Sequence, residues 1–96
     1  MPSDRPALRS ALRAVVDRRD PEGLLALGAP PDEYDPEAAD LARLRSTGGP
    51  FTATTVAEVW ERRFGPHSGF VDRASRAELA AFAAELEAAA TDVATR

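Results

Sequence analysis

Five carboxylates, three prolines and the chain's single tyrosine fall within eleven residues, Pro30-Pro31-Asp32-Glu33-Tyr34-Asp35-Pro36-Glu37-Ala38-Ala39-Asp40. No basic residue offsets them. Carboxylates at this density can hold a cation, open a helix or meet a basic partner. A calcium loop needs oxygen ligands at alternate positions, a glycine at the sharp turn and a terminal bidentate Glu. Here the prolines stiffen the backbone and no glycine lies between Asp32 and Asp40, so no metal site is expected. A helix start explains part of the segment. Asp35 would be the cap, Pro36 the first helical residue, and Glu37 a negative charge in the first turn. Asp32-Glu33-Tyr34 suits a recognition surface, since tyrosine offers large contact area for little lost entropy. The alternative for Tyr34 is a ring laid on the first helix, its hydroxyl bonded to a carboxylate or an arginine. Asp20 and Glu22 could extend the acidic face. The expected partner-contacting residues are Asp20, Glu22, Asp32, Glu33, Tyr34, Asp35 and Glu37.

Little else in the chain could do chemistry. His67 is the only histidine and there is no cysteine. His67 sits beside Ser68 in a Gly/Pro loop. Adjacent residues rarely make a nucleophile and base, and no oxyanion loop is evident. No catalytic residue, cofactor site or metal ligand is expected, and the chain reads as a non-enzyme. An Asp-Ser-Leu string for covalent carriage of a phosphopantetheine arm is also missing.

The elements that would position these residues are all helical. Leu8, Ala11, Leu12, Val15 and Val16 form an apolar stripe predicting a helix from about Asp4 to Arg19, capped by Ser3. Asp20-Pro21-Glu22-Gly23 breaks it, and a short helical turn is expected around Leu24, Leu25 and Leu27. The second helix is expected from Asp35 to Ser46-Thr47-Gly48-Gly49-Pro50, a loop. Val56, Val59, Trp60 and Phe64 predict the buried side of a third helix over 53–64, started by Thr52 or Thr55 and stopped by Gly65-Pro66. Residues 65–74 read as loop. Ser75-Arg76-Ala77-Glu78 is a capping box opening a long Ala-rich helix. Leu79, Leu86 and Val93 are seven apart, with Phe82, Ala83 and Ala90 filling the seam; two heptads suit packing on the chain's own bundle better than a lone coiled coil. No segment has the alternation of a strand. The prediction is a single all-α domain, an antiparallel bundle of about four helices plus one short extra turn.

Charge is unevenly placed. Residues 1–19 carry net +3, residues 20–42 net −7 and residues 43–96 net 0, giving the total of −4. This weakens a nucleic-acid role, because binding needs a basic face along the contact. Only Arg5, Arg9 and Arg13 on the first helix could serve a DNA-binding regulator. Every basic residue is arginine, and Asn, Gln and Ile are absent, as in GC-rich bacterial genomes. Absent cysteine fits a cytoplasmic location. No signal peptide or membrane span is expected.

Asp20-Pro21-x-Gly23, then Asp32-Glu33-Tyr34-Asp35-Pro36-Glu37, then Val59-Trp60-x-x-x-Phe64-Gly65 resembles the YugE-like family of small bacterial helical proteins, from about Asp20 to Leu86. That resemblance implies a helical fold, leaves the biochemical activity unassigned and carries over no catalytic residue. Small proteins of this kind also occur beside bacterial toxin genes, which implies immunity. The expected function is a non-enzymatic protein-interaction module, in its sharper form an immunity or antitoxin-like inhibitor, binding a partner with a basic face. Alternatives are an accessory protein docking on a larger pathway enzyme and, less favoured, the DNA-binding regulator.

Overall fold

Capping residues and apolar stripes divide the chain into five helices in the computed structural model, which describes residues 5–65 and 68–95. They are α1 (Arg5–Arg19), α2 (Asp35–Ser46), α3 (Ala53–Phe64), α4 (Gly69–Arg73) and α5 (Arg76–Ala94). No strand occurs among the described residues. The predicted cap Ser3, the first-turn Asp4 and His67 lie outside the described residues.

Helix α1 packs against both α2 and α5, and α3 closes the bundle on α5 and α2. The apolar stripes meet as expected. Leu12, Val15 and Val16 of α1, Leu41 and Ala42 of α2, Val56, Val59 and Trp60 of α3, and Phe82, Ala83 and Leu86 of α5 share one buried cluster. At its centre Trp60, Phe70 and Phe82 stand edge to face, with centroids 5.5–5.7 Å apart. That arrangement sets the positive edge of each ring against a neighbour's negative face.

The expected Ser75–Glu78 capping box forms, and of the two candidate starts for α3 it is Thr52 that caps, in a box with Thr55. Thr52 accepts from Thr55 N at 3.1 Å while Thr55 Oγ1 accepts from Thr52 N at 2.9 Å. Ser75 accepts from Glu78 N at 3.1 Å, and Glu78 returns the bond to Ser75 N at 3.3 Å. Each cap satisfies orphan amides of a first turn.

Four local expectations change. Asp35 is the first residue of α2, Tyr34 takes the cap position, and no side chain caps the helix. Leu24–Gly28 forms hydrogen-bonded turns instead of a regular helix, and the short extra helix is α4, in the stretch that reads as loop. Helix α4 forms because Ser68 caps it, accepting from Val71 N at 3.2 Å. Phe64 is exposed, because the core place beyond Trp60 is filled by Phe70 from α4.

Candidate functional site

The acidic segment is organised around Tyr34, whose ring is fully buried in the core cluster. Its hydroxyl donates to Asp20 Oδ1 at 2.7 Å and accepts from Glu22 N at 3.0 Å. Asp20 ends α1 in the left-handed region, at φ 47°. A short polar side chain tolerates that conformation when it can bond locally. It does so here: the Asp20 carboxylate accepts from Leu25 N at 3.0 Å and Ala26 N at 2.9 Å. Desolvation pushes the Asp20 carboxyl up, but the bonds from Tyr34 and the two amides outweigh it and hold the group below the usual range. Burial, then the bond to Asp20, push the Tyr34 hydroxyl well above its ordinary value.

Glu22 is spent on α4. Its Oε2 accepts from Ser68 Oγ at 2.6 Å and its Oε1 from Phe70 N at 3.2 Å. Arg73 Nη2 then donates to Pro21 O at 2.7 Å. Sequence reading missed this partnership, since it spans 46 residues; the Ser68 cap before Phe70-Val71 was the available signal.

The first turns of α2 divide their carboxylates. Asp35 pairs with Arg13 at 3.1 Å, and Arg13 also bonds Asp17 and, at 2.5 Å, Pro31 O. Asp40 is buried and accepts from Arg63 Nε at 2.6 Å and Nη2 at 2.9 Å, and from Arg43 Nη1 at 3.0 Å. The Arg63 bonds outweigh burial and keep the Asp40 carboxyl below its ordinary value. Glu37 is only 4 % exposed and its Oε1 has no hydrogen-bond partner. Desolvation raises its carboxyl above the usual range, against a smaller opposing pull from Arg63.

The seven expected contact residues therefore separate. Asp20, Glu22 and Tyr34 are corrected to internal roles, because each spends its polar group inside the chain. Glu37 is corrected likewise, because it is buried. Asp35 is half-buried and paired with Arg13. Asp32 and Glu33 are exposed, and neither side chain has a hydrogen bond or ion pair among the described residues. Leu27, five residues before Asp32 in the chain, is 84 % exposed. Sequence reading placed Leu27 in a helical turn and missed it as a surface group.

Backbone bonds close the turn that bears Leu27, and Glu33 N donating to Pro30 O at 3.1 Å and Asp35 N to Asp32 O at 3.0 Å close the turn that bears Asp32 and Glu33. Leu27 N bonds Gly23 O and Leu24 O, Gly28 N bonds Leu25 O, and Ala29 N bonds Leu24 O, all within 3.0–3.2 Å. Leu24 and Leu25 are anchored against the core cluster. No group of three His, Asp or Glu among the described residues is placed to hold a metal ion. No helix among them is long and apolar enough to cross a membrane. The arrangement can offer two carboxylates and one apolar knob on hydrogen-bonded turns to another surface. Compared with known protein families, curated proteins and solved structures, the chain gives no match.

Proposed function

We propose that this protein is a non-enzymatic interaction module that offers the loop from Leu27 to Glu33 to a protein with a basic face. A bacterial immunity or antitoxin-like inhibitor acting in the cytoplasm is the reading we favour. One observation carries it. Of the seven carboxylates between Asp20 and Asp40, those of Asp32 and Glu33 alone are both exposed and free of internal partners among the described residues. Charge of this kind speeds association with a complementary surface. A backbone already fixed by internal bonds loses little entropy on docking. Leu27, five residues before Asp32 in the chain, supplies exposed apolar area.

The test is capture of partners from the native host, followed by titration of the captured partner with variants. Asp32→Arg with Glu33→Arg should abolish binding at low salt, and Leu27→Ser should weaken it, with both variants melting like the wild type. Unchanged affinity in the double charge reversal would assign the contact to another face.

A further inference from the structure

The arginines form a second surface, independent of the acidic loop. Arg9 of α1 and Arg43 of α2 border one small cleft. Arg43 and Arg62 of α3 border another, of about 250 Å³, with Thr47 and Thr55 along its wall. Arg43 is common to both, so three arginines from three helices border the two clefts of a chain whose net charge is −4. The α2–α3 cleft is lined by two carboxylates, Asp40 and Glu58, as well as by Arg43 and Arg62. Arg63 makes two of the three bonds to the buried Asp40 carboxylate, which leaves the Arg43 side chain 66 % exposed despite its own bond. Arg9 and Arg62 are exposed and form no ion pair among the described residues.

We propose that the α2–α3 cleft, lined by Arg43 and Arg62, with Arg9 on the adjoining cleft that shares Arg43, binds a compact ligand bearing a phosphoryl group. Guanidinium forks pair bidentately with phosphate as with carboxylate, but a phosphoryl group has three outer oxygens and can satisfy forks from two helices at once. A carboxylate has two oxygens and fills one fork. An extended polynucleotide suits the surface poorly. Its charge continues past the three arginines, where the protein's net negative field opposes it. The phosphoryl group could belong to a free small molecule or to a modified side chain of another protein.

The test is a backbone-amide NMR titration of the full chain at constant ionic strength. Its arms are inorganic phosphate, a phosphoserine peptide, the same peptide unphosphorylated, and a single-stranded oligonucleotide. Saturable shifts at Arg43, Thr47 and Arg62 with phosphate are expected, with none from the unphosphorylated peptide. Tighter binding of the phosphopeptide assigns the ligand to a protein; equal binding assigns it to a free molecule. Arg62→Ala should weaken the interaction about tenfold with an unchanged melting temperature. Shifts that never saturate would overturn the proposal. So would undiminished binding by Arg62→Ala, or an oligonucleotide that binds tighter than the phosphopeptide.

Discussion

The Tyr34 hydroxyl stands 2.7 Å from Asp20 Oδ1 and joins the end of α1 to the start of α2 across fourteen residues. Asp20 in turn bonds the Leu25 and Ala26 amides, so one carboxylate fixes both the left-handed end of α1 and the turn that carries Leu27.

Tyr34→Phe keeps the buried ring and removes the hydroxyl. It leaves the Glu22 amide without its acceptor and Asp20 without its shortest bond. The expected cost is about 1–3 kcal/mol. Each kcal/mol lowers the melting temperature by roughly 4–8 °C in a domain of this size. Thermal melts check this, and faster hydrogen exchange at the Glu22, Leu25 and Ala26 amides should accompany it.

Glu37→Gln tests the buried carboxylate whose Oε1 has no hydrogen-bond partner. Its raised folded-state value means that Glu37 favours folding below the ordinary Glu value of 4.5, and that this contribution is lost as pH rises through the folded value. The wild type should therefore lose stability relative to Glu37→Gln as pH climbs from that range toward neutrality. Urea unfolding of both proteins across that window measures the difference. A constant gap would show that Glu37 titrates normally.

Asp40→Asn has the opposite sign. A depressed folded-state carboxyl stabilises above the ordinary Asp value of 3.8, and the contribution is lost as pH falls through the folded value. The variant should be less stable than the wild type at neutral pH. The gap should narrow on acidification, because the protonated wild-type carboxyl no longer holds Arg63. Urea midpoints at neutral and acid pH read it out.

Trp60→Ala empties the centre of the edge-to-face cluster that Trp60 makes with Phe70 and Phe82. The cost should be about 3–5 kcal/mol. A melting temperature unchanged within a few degrees would contradict the buried position of the ring.

How far the sequence could be read depended on whether each determinant was local. Ser75-Arg76-Ala77-Glu78 and the Leu12–Val15–Val16 stripe are contained in a turn or two of chain, and the elements they announce occur where expected. The contrast is Tyr34. Its surroundings in the chain are acidic and proline-rich, which reads as surface, yet a carboxylate fourteen residues upstream and the core cluster draw the ring inside. Glu22 is a second case, since its acceptors face Ser68 and Phe70 from far along the chain. The same blindness applied to Leu27, whose apolar side chain argues for burial until Leu24 and Leu25 occupy the available core surface. The arginines of the two clefts come from three separate helices, and no spacing within one segment announces them.

The anchoring of α4 by Glu22 also makes this helix conditional on tertiary contact. Five residues are too few to hold a helix in water, because the first hydrogen-bonded turn is the costly one. Ser68 and Phe70 find their carboxylate on Glu22, 46 and 48 positions earlier in the chain. Helix α4 therefore depends on the bundle around it for its helical form. Phe70 enters the core with it. The shortest helix thus supplies the third ring of the aromatic cluster, and loss of the Glu22 anchor would be felt in the core as well as at the surface.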